Sequence, residues 1–179
     1  MALTKVRTGG IQADAVDSTI LKLDDNYAFT GNVSSPNAFW CANRSSGQAI
    51  SQNTNTTILW DTTVTATNVT NTMSSDGRIT IPSGQAGWYS IHAIGRYQDG
   101  PSDGKERTYI QHYDTSASST ILVGYGEMNT KGTWDTLDAH AFAYLDVGDY
   151  VYVQSYQNND SSADFRGSNG TAFFGMKIG

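Results

Sequence analysis

Apolar and polar residues alternate two positions apart in several stretches, and this alternation restricts the fold more than any other feature of the chain. In residues 88–97 (WYSIHAIGRY), Tyr89 and Ile91 would lie on one face of an extended strand, with Ser90 and His92 on the other. Residues 149–156 alternate likewise, with valines on one face and mostly tyrosines on the other. Such alternation is typical of antiparallel strands with one buried face. We therefore expect Tyr89 and Ile91 in a hydrophobic core.

Similar short runs, bounded by Gly, Asn, Asp and Ser, continue from Asn37 to the end of the chain, and no stretch predicts a helix. Pro82 has no amide N–H for a sheet ladder, so the strand before it should end there. The number of strands favours an all-β sandwich of the jelly-roll kind. The candidate strands are residues 38–42, 57–60, 78–81, 88–97, 106–113, 120–127, 136–145, 149–156 and 171–178.

Residues 1–37 differ in composition from the rest of the chain. Small, acidic and polar residues dominate this stretch, and its scattered Ile and Leu could not bury enough apolar surface to fold alone. We predict a short extended attachment or linker segment over residues 1–37, followed by one domain over residues 38–179.

Charge and hydropathy argue against several classes of partner. The formal net charge of the 179-residue chain is −6, which opposes approach to phosphate backbones, so we expect no nucleic-acid partner. No run of 18 apolar residues predicts a membrane span, and the first ten residues lack the apolar core of a signal peptide. The single cysteine, Cys41, is expected to be a small buried apolar residue.

Five short stretches resemble the C1q/TNF-like domain, in the order which that family uses. They are residues 38–39 (AF), 58–61 (ILWD), 77–82 with 87–89 (GRITIP, GWY), 145–153 (LDVGDYVYV) and 173–175 (FFG). The resemblance covers roughly residues 38–179 and implies a ten-stranded jelly-roll sandwich that assembles as a homotrimer. Residues 83–86 make the connection before Gly87 longer than is usual in the family.

Residues 4–34 (TKVRTGGIQADAVDSTILKLDDNYAFTGNVS) resemble the amino-terminal segments of virion structural proteins, such as tail fibres, from tailed phages, especially those of marine bacteria. This resemblance implies a non-enzymatic virion protein of the tail-fibre, receptor-binding or decoration type. Its trimeric head would recognise the host surface, and residues 1–37 would bind other virion proteins. The protein would then be located in the virion, after assembly in the host cytoplasm. The alternative is a free C1q/TNF-like module that binds carbohydrate or protein without any virion.

Aromatic residues are the main candidates for contact with partners. Tyr150, Tyr152 and Tyr156 should project together from one strand, and we interpret them as part of the trimer interface, because tyrosine combines a large apolar body with a hydroxyl. A sugar-stacking platform and packing within one chain are the alternatives. Trp134 lies in a polar turn region and is the best candidate for an exposed ring that contacts a ligand, either a host-surface glycan or a protein.

The sequence favours no catalytic or metal site. His92, His112 and His140 lack the close spacing of metal ligands, and no nucleophile motif is present. Residues 99–106 (DGPSDGKE) offer oxygen ligands for calcium, but Asx turns explain them without an ion. We therefore expect no cofactor, no metal and no enzyme activity. A hydrolase with paired carboxylates stays an alternative, because distances across strands cannot be read from sequence.

Overall fold

The computed structural model describes residues 37–98, 104–129, 134–158, 163–167 and 170–178, without the side chains of Thr63, Val64, Trp134 and Asp135. Residues 1–36 of the predicted attachment segment therefore lie outside the described part. So do residues 99–103, which belong to the loop that offers oxygen ligands for calcium. All regular structure in this part is β, as predicted. No helix able to span a membrane occurs among the described residues.

Thirteen strands occur in the described residues, against ten implied by the resemblance, and five of the thirteen are only two or three residues long. The strands are β1 (Phe39–Asn43), β2 (Gln48–Ile50), β3 (Thr56–Thr57), β4 (Thr62–Thr67), β5 (Thr70–Thr72), β6 (Arg78–Thr80), β7 (Gly87–Gln98), β8 (Lys105–Asp114), β9 (Ser119–Asn129), β10 (Trp134–Leu145), β11 (Tyr150–Gln157), β12 (Ala163–Phe165) and β13 (Ala172–Lys177).

The strands form two antiparallel sheets, here named sheet I and sheet II. Sheet I has the order β2-β12-β7-β13-β1-β4, and β10 pairs with the long strand β7. Sheet II has the order β5-β6-β11-β8-β9, and β3 also pairs with β11. Strand β1 therefore lies between β13 and β4, inside sheet I.

The hydrophobic core lies between the sheets and is rich in aromatic residues. Tyr89 and Ile91 are buried, which confirms the prediction from alternation. Trp60 stacks on Phe173, with ring centroids 5.6 Å apart. Strand β6 ends at Thr80, two residues before Pro82, as the missing amide N–H requires.

Cys41 does not occupy the predicted buried position. It lies on β1 between the buried residues Trp40 and Ala42, and strand geometry turns its side chain to the opposite, outward face. There it is partly exposed as a free thiol. The prediction was wrong because cysteine's general preference for burial does not decide which face of a strand it takes.

Two glycines let β9 and β10 approach each other closely across the sandwich. A Cβ at Gly124 would lie 2.8 Å from the His140 carbonyl oxygen, and a Cβ at Gly126 would overlap the Asp138 carbonyl oxygen. Between the buried residues Leu137 and Leu145, strand β10 has three small inward side chains, and the larger residues between these alanines point outward. These inward residues are Ala139, Ala141 and Ala143.

Candidate interaction surfaces

The outward face of sheet II carries the predicted tyrosines side by side. Tyr150, Tyr152 and Tyr156 are each partly exposed and alternate along β11 with the buried residues Val151 and Val153. The structure therefore brings the three tyrosines together on one face, here called the tyrosine face.

The tyrosine rings on this face are stacked on their own neighbours. Tyr113 of β8 lies parallel to Tyr150, with ring centroids 4.7 Å apart, and the Arg78 guanidinium lies 4.4 Å from the Tyr150 centroid. Because β11 lies between β6 and β8, these two groups cover opposite sides of the ring. Arg107 similarly lies over Tyr156. A sugar-stacking platform needs an open ring face, which Tyr150 does not offer.

A charged cluster borders the tyrosines. Glu127 accepts hydrogen bonds from Arg107 at 2.6 Å, from Lys105 at 3.0 Å and from the Tyr125 hydroxyl. The bond from Tyr125, followed by those from Lys105 and Arg107, lowers the pKa of Glu127 to about 2. The cluster lies at the solvent-exposed surface, and its two cations share one carboxylate.

The roles predicted for these aromatic residues stay predictions. The structure places Tyr150, Tyr152 and Tyr156 together on the tyrosine face. Trp134 begins β10, opposite Gln98 of β7, and its side chain lies outside the described part.

The outward face of sheet I carries an apolar patch, and the sequence analysis missed it. Five large apolar side chains from β7, β10, β13 and the residue after β13 are exposed there. Phe142 is 70% exposed and the other four are about half exposed. They form one patch, since the rings of the β7 and β10 members are 5.8 Å apart and the chain after β13 bonds to β7. This apolar face consists of Trp88, Phe142, Tyr144, Met176 and Ile178.

The sequence did contain a signal for the apolar face. In residues 139–144 (AHAFAY), alanine alternates with larger residues. The ordinary expectation places the larger apolar side chains inward. Here the inward positions must be small because the β9 backbone approaches at Gly124 and Gly126, so Phe142 and Tyr144 point outward.

Two histidines adjoin the apolar face. His92 of β7 and His140 of β10 are cross-strand partners, and their rings stack with centroids 3.7 Å apart. His92 also packs against the edge of Phe174, and its Nε2 atom is buried with no hydrogen-bond partner among the described residues. That atom lies 3.7 Å from a carboxylate oxygen of Asp138. Burial, and then His140, lower the pKa of His92, and Asp138 offsets this only in part.

Comparisons with known proteins identify the architecture. No protein-family model and no curated protein sequence matches the chain. Among solved structures, murine APRIL is similar with a TM-score of 0.62 and 9% identity, over 79% of this chain and 99% of that one. The globular domain of zebrafish complement 1qA gives 0.57 and 12% identity, over 79% and 98% of the two chains. Eiger TNF from S. frugiperda gives 0.58 and 11% identity, over 80% and 92%.

The fold is the C1q/TNF jelly roll.

Residues 145–153 of the jelly roll, one of the five stretches that carried the resemblance, contain a buried carboxylate that joins two hairpins. Asp149 accepts hydrogen bonds from the amide and hydroxyl of Thr115, at 3.0 and 2.9 Å, and from the Asp146 amide at 3.0 Å. His112 completes the set, with its Nε2 atom 2.8 Å from the carboxylate. Asp149 therefore ties the β10–β11 turn of the jelly roll to the β8–β9 turn.

The Asp149 contacts also explain how its ionisation is controlled. Burial raises the pKa of this carboxyl group, but the hydrogen bonds from Thr115, Asp146 and His112 together outweigh burial and hold the pKa below its ordinary value. The carboxylate thus stabilises the jelly roll at pH values above the unfolded pKa of about 4, and this contribution is lost as the pH falls through the folded pKa.

We expect Asp149→Asn to destabilise the domain by roughly 2–3 kcal/mol at pH 7, because an amide turns a donor toward the donors around it. The stability of the variant should also fall less steeply than that of the parent protein below about pH 4. Urea unfolding at pH 7 and pH 3.5 measures both effects. The exposed neighbour Asp146 supplies the control, Asp146→Asn, which should stay close to the parent protein. Equal pH dependence in the Asp149 variant and the parent protein would contradict this role.

No metal site is formed by the described residues, since no group of three or more His, Cys, Asp or Glu side chains is placed to hold an ion. His112 is engaged with Asp149, and His92 stacks on His140.

Proposed function

We propose that the chain is a non-enzymatic virion structural protein, of the tail-fibre, receptor-binding or decoration type, whose C1q/TNF-like head assembles as a homotrimer and recognises the host surface. The observation that carries the proposal is a C1q/TNF jelly roll with an exposed apolar face, preceded by a segment that resembles phage virion proteins. The similar structures are named as APRIL, complement 1qA and a TNF, and none of these names denotes an enzyme.

The apolar face is the surface we assign to self-assembly. Exposed apolar patches of this kind mark contact surfaces, and the cores of protein interfaces are poor in charged residues. The five members of the apolar face carry no charge, so burying them between copies of the chain removes no charged group from water. The tyrosine face fits this role less well, because its rings already stack on neighbours and the charged cluster lies beside them. An interface at Tyr150, Tyr152 and Tyr156 is the competing prediction.

Recognition would depend on several identical sites acting together. Three heads in one assembly present the same loops in three copies, so a weak contact with a host-surface glycan or protein gains strength through multivalency. Trp134 is the residue we propose for such a contact, at the start of β10.

Residues 1–37 are proposed to attach the head to other virion proteins, which would place the protein in the virion after assembly in the host cytoplasm. The alternative, a free binding module of the C1q/TNF type, is favoured by the names of the similar structures, none of which is a virion protein. The two proposals differ in what residues 1–37 are needed for.

Light scattering after size exclusion, at two concentrations of the intact chain, tests the assembly. A stable species of three times 19.3 kDa, about 58 kDa, is the expected result. A persistent monomer would overturn the trimer.

Deletion of residues 1–37 tests the attachment. The truncated chain should keep its β-rich circular dichroism spectrum and its assembly state, and should be missing from purified particles. Particles that incorporate the truncated chain at the normal level would exclude attachment through this segment and would favour the free module.

A further inference from the structure

The His92–His140 pair belongs to the same surface as the apolar face. His140 is the outward residue next to Phe142 along β10, two positions away, and β7 carries both His92 and Trp88 on its outward side. An assembly that covers Phe142 and Trp88 therefore also covers the two imidazoles or lies directly beside them.

Few charged groups face this pair. Strand β10 contributes His140 and Asp138, and β7 contributes Arg96, two outward positions from His92. The facing residues on β13 and β1 are Phe174, which is opposite His92, and Cys41, which is opposite Phe174. Asp138 is the carboxylate closest to the pair, and its side chain is more than half exposed.

Protonation would place a positive charge where little can stabilise it. Two imidazoles stacked at 3.7 Å repel each other when both are charged, and a charge covered by an apolar interface also loses its hydration. In the single chain these effects already lower the pKa of His92, with burial the largest and His140 next. Because its pKa is lowered, His92 favours the neutral form in the folded chain. The folded chain therefore keeps its full stability above about pH 6.5 and loses stability as the pH falls below that value.

We propose that the stacked His92–His140 pair makes self-assembly through the apolar face sensitive to protons, so that the assembly holds at neutral pH and dissociates in mild acid. This inference rests on the proposed self-assembly and adds its regulation. Because each copy contributes two imidazoles, the effect increases with the number of copies, and the transition should be steep.

The test is the solution mass of the intact chain at pH 7.5 and pH 5.0, at constant ionic strength and over a range of concentrations. We expect an assembled species at pH 7.5 and a dissociation constant at least tenfold higher at pH 5.0. The double variant His92→Gln/His140→Gln cannot be protonated at either position and should remain assembled at pH 5.0. His140→Gln alone, at an exposed position, should weaken the pH dependence even if the double variant does not fold. The matched control is His112→Gln, which should keep the pH dependence because His112 lies with Asp149.

The possible outcomes separate this inference from the proposed assembly. An assembly with the same dissociation constant at both pH values overturns proton control and leaves the assembly standing. A monomer at both pH values overturns the assembly, and the inference with it. If the His140 variant and the double variant both dissociate in acid as strongly as the parent protein, other groups are responsible, and this outcome also overturns the inference. Circular dichroism at both pH values confirms that the dissociated chains remain folded.

Discussion

Phe142→Asp should convert the assembled protein into monomers without unfolding it. Phe142 is 70% exposed, so the folded single chain gains little from its ring. In an assembly the ring is removed from water, which contributes about 1.5–3 kcal/mol per copy, and a carboxylate in its place must be desolvated at further cost. We expect the dissociation constant to rise by at least about 100-fold. Light scattering against concentration measures it, and thermal unfolding checks the fold.

The controls for this prediction lie on the other sheet. Leu122 is a half-exposed apolar residue on the outward face of sheet II, opposite Gln111, and Leu122→Asp should leave the solution mass unchanged. Tyr152→Asp examines the competing interface in the same way. If Tyr152→Asp produces monomers and Phe142→Asp does not, assembly uses the tyrosine face, as the sequence first suggested.

Gly175→Ala should destabilise the domain by roughly 3 kcal/mol, near the upper end for an overpacked core. A methyl group at this position would overlap the six-membered ring of Trp40, which is fully buried. Trp40 also packs on Tyr89 and Phe173, so its ring cannot move away freely. For a domain of this size the midpoint of thermal unfolding should fall by about 6–12 °C.

Two variants check the cause of that loss. Gly47→Ala adds the same methyl group where the nearest atom, an Asp164 carboxylate oxygen, is 3.4 Å away, so we expect little change. Trp40→Phe removes the ring atoms that the new methyl would meet. The double variant Trp40→Phe/Gly175→Ala should therefore lose less stability than the sum of the two single variants. Simple additivity would mean that the two side chains do not clash.

The general fold could be predicted because its main signals are local. Alternation placed Tyr89 and Ile91 in the core, and Pro82 ended its strand, since both effects act within a few residues of sequence. The FFG stretch was one of the five stretches whose resemblance together predicted the correct fold. Its physical reason became visible only in the structure, where Gly175 makes room for Trp40, which lies far away in the chain.

The candidate surfaces were harder to predict because they depend on pairing between distant strands. The three tyrosines share one strand, so their common face could be read directly from β11. The apolar face combines three strands, and the stacking of His92 on His140 depends on the register of β7 with β10. Thr115 reaches Asp149 from 34 positions away. No spacing rule within a single strand gives such contacts.

The position of β1 has a mechanical consequence. The chain enters the head through β1, which is hydrogen-bonded on one side to β13 and on the other to β4. A pull on residues 1–37 directed along β1 loads both ladders in shear, so that many hydrogen bonds resist together instead of opening one after another. An entry strand that is paired on both sides would therefore keep the head folded under the force that the proposed attachment to a particle transmits.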